Sequence, residues 1–269
     1  MNKEISNKAA QDRWNQRAVG AQRASAPRGS REYFDQIERH RYGYETPFIK
    51  DLLLTDLEGK SVLEIGVGNG IDASVICERA DSYVGIDITR NHLDLTEQNL
   101  KQKGFRNFSL VEGDLTEFDF GEKKFDVIYS FGVMHHIAHE EDFLKRAKSL
   151  LTPDGEMRLA VYSKWSFFNA YILATWLVRN RCRVKFNLWQ GHLTDASSFD
   201  NPIVVKVRSK SQYKYLLERN GFVIRKYYKR GFVQRYIPVL GRFLHPNGYT
   251  LNLLGSLFGW YHIFIVKTR

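Results

Sequence analysis

Residues 62–70 read VLEIGVGNG, with Gly66, Gly68 and Gly70 packed into five positions behind an apolar run broken only by Glu64. Val62, Leu63 and Ile65 have the pattern of a short buried strand. Glycines at its exit let the chain turn tightly and bring backbone close to a ligand with no Cβ in the way. The helix that follows offers free N–H groups and the positive end of its dipole. The spacing is G-x-G-x-G, with Ile71 where a dinucleotide fingerprint wants its third glycine, and no Gly-Lys-Ser/Thr follows as in a phosphate-binding Walker loop. Asp87 lies 21 residues beyond Gly66, where a carboxylate can accept from both hydroxyls of a ribose. Asp114, in VEGDL, can accept from an exocyclic amino group such as that of adenine. Either acid alone is equally a turn or cap residue. Three such features at the same ends of three successive strands define a site.

Stepping from these residues to what must hold them, strands are predicted at 61–65, 83–86, 108–111, 125–130 and 156–162, with helices at 71–79, 89–103 and 140–151 between them. Thr46 and Pro47 predict a helix over 47–55. After the fifth strand, residues 163–208 interrupt the rhythm with the aromatic segment WSFFNAYILATWLV and the polar stretch WQGHLTDASSFDNP. A helix at 209–220 and strands at 222–228 and 261–267 close the chain. This βαβα alternation implies an α/β fold, a doubly wound sheet with helices on both faces and ligands at the carboxyl ends of its strands. The division expected is an N-terminal helical lid or arm over 1–45 and one domain over 46–269, carrying the 163–208 insertion.

Charge is unevenly spread along the 269 residues, whose net charge is +10. Residues 1–31 carry seven Lys/Arg against two acids and residues 202–269 carry thirteen against one, so the centre is mildly acidic. Basic ends favour an anionic partner: a phosphate- or carboxylate-bearing substrate, a membrane surface or nucleic acid. Ordinary solubilising charge accounts for them equally well. Trp165–Val178 is uncharged but, at 14 residues, shorter than the ~20 a spanning helix needs. Phe243–Val266 also lacks Lys, Arg, Asp and Glu, but its Pro246, Asn247, Gly248, Gly255 and Gly259 read as turns, so no span is expected. No secretory leader is read at the N-terminus, and Cys77 and Cys182 have neither metal nor disulfide spacing, which makes a cytoplasmic location the default.

The segments VLEIGVGNG, VGIDIT (84–89), VEGDLTEF (111–118), FDVIYSFGVMHHI (125–137) and LLTPDGEMRLAVY (150–162) together resemble the class I S-adenosylmethionine-dependent methyltransferases. The branch they are most similar to includes quinone-biosynthesis and natural-product enzymes. The likeness covers 60–162 motif by motif, and SQYKYLLERNGFVIRKY looks like that fold's next helix and sixth strand. It implies a Rossmann-like seven-stranded sheet, mostly parallel with the last strand antiparallel, and S-adenosyl-L-methionine as cofactor. By position, Glu64 and the backbone of Gly66, Gly68, Asn69 and Gly70 would face its methionine moiety. Asp87 would hold the ribose with Ile88 on the adenine, Asp114 and Leu115 would meet the adenine edge, and Ser130 would floor the methyl group. Asn69 departs from the Thr, Ser or Cys of many members but stays polar.

Methyl transfer from a sulfonium is chiefly alignment and exclusion of water, and a base is needed only for a weakly acidic nucleophile. His135 and His136 sit just past the fourth strand; His135 is the candidate base and His136 the candidate structural partner. Tyr33, Tyr42 and Tyr44 on the N-terminal side, with Trp165, Phe168 and Tyr171 in the insertion, are candidate pocket walls, though core packing would account for most of them. Trp14, Phe167 and Trp176 extend these two groups, and Arg41 and Arg208 are candidate contacts for an anionic group. The leading expectation is transfer to O or N, in preference to C, of a small aromatic or amphiphilic metabolite. Two alternatives stand beside it: an RNA methyltransferase using the basic C-terminal region, and a non-catalytic cofactor-binding protein docked on a membrane or partner. Nucleic acid is not the expected partner, peripheral membrane contact is left open, and no metal is expected.

Overall fold

The computed structural model describes residues 11–12, 14–15, 20–180 and 205–269. Cys182 and the whole WQGHLTDASSFDNP stretch lie outside them. In chain order the elements are α1 (Arg31–His40), α2 (Ile49–Leu52), β1 (Ser61–Ile65), α3 (Ile71–Arg79), β2 (Ser82–Asp87), α4 (Arg90–Gln102), β3 (Phe108–Glu112), β4 (Phe125–Phe131), α5 (Glu140–Leu150), β5 (Leu151–Tyr162), α6 (Phe167–Asn180), α7 (Lys210–Arg219), β6 (Phe222–Arg230), α8 (Tyr249–Phe258) and β7 (Tyr261–Thr268). The strands form one seven-stranded sheet in the order β3-β2-β1-β4-β5-β7-β6. The first five run parallel and β7 pairs antiparallel to both β5 and β6. This is the Rossmann-like doubly wound sheet that the sequence implied.

The period-2 alternation of the strands divides the core into two layers. Val62, Val127, Ala160 and Ile263 face a cluster that holds Val75 and Ile76 of α3, Leu93 and Leu100 of α4 and Trp176 of α6. Their neighbours Leu63, Ile128, Leu159 and Phe264 face the opposite cluster with Phe143 and Leu144 of α5 and Tyr213 and Leu217 of α7. A smaller cluster seats Tyr33, Phe34 and Ile37 of α1 on Ile71 and Leu95, which brings the N-terminal segment onto the start of α3. The ends of the insertion meet where Lys164 N–H donates to the Arg208 carbonyl at 3.0 Å. Among the described residues no helix is long and apolar enough to cross a membrane.

Two local expectations differ from the structure. The helix predicted at 47–55 is only Ile49–Leu52. Thr46 does not cap it, because its N–H and its hydroxyl both donate to the Arg41 carbonyl, at 2.7 and 3.2 Å, closing the preceding turn. The chain then leaves the helix and buries Leu53, Leu54 and Leu57. The second difference is α8, which fills part of the uncharged C-terminal stretch read as turns. Gly248 and Gly259 flank this helix, and Gly255 lies against β6, where a Cβ would come within 3.5 Å of Arg230 Cα.

Gly70 shows why a glycine is needed where α3 begins. It has φ 69°, and a Cβ there would lie 2.8 Å from the backbone Cα of Thr96 in α4, a group that cannot swing away. Gly59 has nearly the same φ, 70°, but open space around it. Gly59→Ala is therefore expected to cost only the left-handed backbone penalty, about 1 kcal/mol. Gly70→Ala adds a clash in a packed interior and is expected to cost about 2–4 kcal/mol in all. Urea denaturation of both variants checks the difference; equal losses would contradict it.

Candidate active site

One cavity of about 830 Å³ lies at the carboxyl ends of β1, β2 and β4. The turn after β1 supplies Gly66, Gly68 and Asn69, and Glu64 reaches the same wall from the strand. A Cβ on Gly66 would run into the Val133 side chain at 2.3 Å, whereas one on Gly68 would meet nothing within 4 Å. The turn is thus closed on one side by packing and open at Gly68. Gly70 itself is one layer behind, against α4, and its contribution is the turn.

Asp87 ends β2 at the cavity wall with 7% of its surface exposed. Its Oδ1 accepts from the Thr89 N–H at 2.9 Å, and Oδ2 lies 3.3 Å from His92 Nδ1. An ionised carboxylate offers about four acceptor positions, so capacity remains for a ligand diol. Thr89 Oγ1 and His92 Nε2, both on residues that line the cavity, are buried without a hydrogen-bond partner. Ile88, Asp114 and Leu115 continue this wall. Asp114 Oδ1 accepts from Thr116 N–H at 2.8 Å and from its hydroxyl at 2.7 Å, which fixes the carboxylate's orientation. These residues present a two-oxygen acceptor, apolar surface and a second acid in sequence, a set that fits a nucleoside.

Behind the glycine turn lies a buried charge cluster. Asp72 of α3 accepts from Arg41 Nε at 2.7 Å and from Nη2, from the Tyr42 hydroxyl at 2.7 Å and from the Tyr129 hydroxyl at 2.6 Å. Burial alone would raise the Asp72 carboxyl, but the Arg41 charge and the hydrogen bonds from Arg41, Tyr129 and Tyr42 hold it below its usual range. Burial, and then the charge on Asp72, pushes the nearby Glu64 carboxyl well up; it accepts from the Tyr83 hydroxyl at 2.7 Å. Arg41 and Asp72 both touch the cavity. Of the two arginines considered for an anion, Arg41 is at the site. Arg208 is committed to both Glu140 oxygens, at 2.5 and 2.6 Å.

The other end of the cavity is aromatic. Phe131 ends β4, Tyr162 ends β5, and Trp260 and Tyr261 start the antiparallel β7, so all four project at the same edge of the sheet. Tyr162 and Trp260 stack with centroids 4.2 Å apart, Phe168 meets Trp260 at 4.8 Å, and Phe131 meets Tyr261 at 4.8 Å. Phe168 and Tyr171 of the insertion line this end as expected. Several other expected wall residues do not reach it. Tyr33 is buried in the α1 cluster, its hydroxyl 3.5 Å from Asn69 Oδ1, and Tyr42 is committed to Asp72 behind the wall. Tyr44 and Trp165 point to solvent, 60% and 68% exposed.

Ser130 and His135 also need correcting. Strand alternation turns Ser130 away from the ligand side, with its hydroxyl 3.4 Å from the Ile65 carbonyl, and gives the wall position to Phe131. In the short helical turn Met134–His136 it is His136 that lines the cavity. His135 is fully buried, its ring 3.6 Å from that of Tyr162 and both ring nitrogens without a partner. Burial, with His136 beside it, pushes its pKa well below the usual value. An unprotonated, sealed imidazole packs; it does not exchange protons with a substrate.

The residues missed in sequence are Arg41's partner Asp72, then Tyr162, Trp260, Tyr261 and the Gly231–Pro238 wall. A usable signal existed for two of these. In a mixed sheet the ligand edge is the carboxyl end of the parallel strands and the amino end of the antiparallel one, which points to Trp260 and Tyr261.

A methyltransferase-domain family model matches residues 56–221, more than half of the chain. The chain belongs to that methyltransferase-domain family. Within it, the sequence is 26% identical over 174 residues to a ubiquinone biosynthesis O-methyltransferase of Azorhizobium caulinodans, covering 60% of this chain and 66% of that one. It is also 26% identical over 121 residues to the Actinobacillus pleuropneumoniae enzyme of that name, covering 44% and 51%. The chain spans about half the length of the first curated relatives it matches. Among solved structures, a Burkholderia thailandensis 1,6-didemethyltoxoflavin-N1-methyltransferase with bound S-adenosylhomocysteine aligns at TM-score 0.54 and 15% identity, over 83% of this chain and 77% of that one. The cyclase SpnF aligns at TM-score 0.59 and 11% identity, over 99% and 94%. At such identities the structural likeness shows the fold alone.

Buried neutral imidazoles give the fold a measurable acid sensitivity. His262 of β7 is held down to about 4 by burial and then by Lys229. Its unfolded value is near 6.5, so below that pH the unfolded chain binds a proton the folded chain refuses. The stability is present above pH ~6.5 and is lost as pH falls toward 4, by about 3 kcal/mol for His262 in full. Denaturant titrations between pH 7 and 4.5 should show His262→Asn losing roughly 2–3 kcal/mol less than the wild type over that interval; parallel losses would refute the assignment.

Proposed function

We propose that this protein transfers a methyl group from S-adenosylmethionine to an oxygen or nitrogen of a small aromatic or amphiphilic acceptor. The observation that carries the reading is a single cavity whose one end is lined by Gly68, Asp87 and Asp114 and whose other end is lined by Phe131, Tyr162 and Trp260. One chamber thus offers a nucleoside-shaped wall and an apolar wall side by side. The cofactor, when bound, supplies a methyl group already activated on a sulfonium, so the protein's part is alignment and dryness. Asp87 holds the ribose hydroxyls, Ile88 and Leu115 pack on the adenine, and Asp114 meets its edge. Arg41, Glu64 and Asn69 serve the amino-acid end: Arg41 keeps Asp72 with Nε and Nη2 and has Nη1 left for a carboxylate. The aromatic walls hold the acceptor and exclude water. The described part of the N-terminal arm acts as the lid over this chamber, with Trp14, Ile37 and Arg41 lining it.

Oxygen is the favoured acceptor atom. The relatives whose names specify an atom include ubiquinone biosynthesis and fatty-acid O-methyltransferases. A hydroxyl is a weak acid and calls for a base. His136 is assigned that role in place of His135, because its ring is at the wall, 5.8 Å from Trp14 and 5.9 Å from Tyr162 by centroids. Nothing at the cavity wall among the described residues favours the RNA or the non-catalytic alternative.

Two measurements test this. Asp87→Ala removes a charged acceptor from two ribose hydroxyls and is expected to weaken S-adenosylmethionine binding about 10- to 100-fold by calorimetry. A cofactor affinity unchanged from wild type would overturn the cofactor site. On a hydroxylated acceptor that turns over, His136→Gln is expected to lower kcat about 10²- to 10⁴-fold with the cofactor Kd unchanged. A kcat equal to wild type would remove His136 as base and leave alignment alone.

A further inference from the structure

An unusual amount of large apolar surface stands in solvent on one side of the molecule. Along α8, Tyr249, Leu253 and Leu257 recur at i, i+4 and i+8 on one stripe, 82%, 50% and 58% exposed, while Leu251 is buried and Gly255 packs on β6. The helix therefore turns an apolar face outward, the reverse of what a soluble surface helix does. The loop before it adds Val239 and Phe243, each 72% exposed. Val239 holds φ 63°, a conformation that a β-branched residue adopts only under strain. Such strain is kept where it positions something.

The same face carries cations set beside aromatic rings. Lys164 Nζ lies 5.2 Å from the Trp165 ring centroid, and the guanidinium carbons of Arg235 and Arg242 lie 5.6 and 4.8 Å from those of Tyr236 and Phe243. Lys229 ties the two exposed segments together by donating to the carbonyls of Trp165 and Leu257, both at 2.6 Å. From Arg219 to Arg269 the chain has nine Lys/Arg and no acid. Among the described residues, acids that reach this region from elsewhere include Asp51, which accepts from Asn247, and Glu45 at the cavity wall.

From this geometry we infer that the α8 face and the adjoining Lys164–Trp165 and Arg242–Phe243 pairs form a docking surface for an anionic phospholipid bilayer. Apolar side chains that enter the acyl boundary, with ring–cation pairs at headgroup level and net positive charge behind them, match an interfacial surface. The face also borders the cavity: Phe167, 40% exposed, lines it and stacks on Tyr236 at 4.8 Å, and Phe232 links Tyr236 to Phe258 at 5.3 and 6.5 Å. An amphiphilic acceptor would pass from lipid to the aromatic wall without crossing water. That access route rests on the methyltransferase reading above; the docking does not.

The test is flotation of the full chain with vesicles of equimolar phosphatidylglycerol and phosphatidylcholine, against vesicles of phosphatidylcholine alone. Binding to the anionic vesicles is expected, with weaker binding to the neutral ones. Leu253→Ser with Leu257→Ser is expected to reduce it at least tenfold, and Arg242→Gln about fivefold, as one basic residue near such a surface is worth about that factor. Circular dichroism and calorimetry with S-adenosylmethionine on the same samples separate a lost surface from a lost fold or a lost cofactor site. Wild type that floats with neither vesicle, or binding indifferent to both variants, would overturn the proposal. So would a chain that does not float but sediments as a dimer dispersed by the leucine substitutions, since a second copy would then cover the face.

Discussion

The interaction on which the arrangement depends is the buried pair of Arg41 and Asp72. Taking both charges out of water is expensive, and their attraction offsets that cost only when every remaining polar position is filled. Here the filling comes from two directions: Arg41 and Tyr42 from the segment after α1, and Tyr129 from β4, converge on a carboxylate presented by the first turn of α3. One carboxylate thus couples the N-terminal segment, the helix behind the glycine turn and the centre of the sheet. Removing Arg41 would leave an uncompensated charge, typically a loss of about 3–5 kcal/mol. The cluster also sets the electrostatics of the neighbouring wall. By keeping the negative charge on Asp72, it pushes Glu64 toward its neutral form and stands a guanidinium at the cavity.

The sheet explains why two chemically different walls share one chamber. Parallel strands all end on the same side, so the turn after β1, Asp87 after β2 and Phe131 after β4 are neighbours although far apart in sequence. Reversing β7 brings its amino end, Trp260 and Tyr261, to that same side against Tyr162 of β5. The left half of the sheet, β3 to β1, yields carboxylates and glycines; the right half, β4 to β7, yields rings. The glycine side follows from backbone geometry that the fold imposes, and the ring side from side chains that also pack into the core. The alignment of both a methyltransferase and a cyclase on this chain fits that division, since fold alone does not fix the reaction.

What could be read from the sequence follows the same division. Strand periodicity and the glycine turn are local signals, so β1 to β5, the turn and the positions of Asp87, Ile88, Asp114 and Leu115 were legible. Ser130 and His135 failed for a different reason. Which of two adjacent residues faces a cavity depends on strand alternation and on one turn of helix, and a shift of one position moves a side chain to the opposite face. Tyr33 and Tyr42 look ligand-facing in sequence because they are aromatic and near the site; the structure uses one to pack α1 and the other as a hydrogen-bond donor. The Asp72 cluster was illegible because its partners come from residues 41, 42 and 129, and no local pattern joins them.

The C-terminal helix carries this reasoning further. Its uncharged sequence reads as turns because Pro246, Asn247, Gly248, Gly255 and Gly259 punctuate it, whereas in the structure Gly248 and Gly259 only flank the helix and Gly255 packs on β6. Leu251 and Gly255 go inward, and Tyr249, Leu253 and Leu257 go outward, with the polar Thr250 and Ser256 also exposed. An apolar stripe of this kind on the outer side of a helix marks a surface that meets something other than water. No contact within the described residues accounts for that stripe, and through Phe258, Phe232 and Tyr236 it adjoins Phe167 at the aromatic end of the cavity.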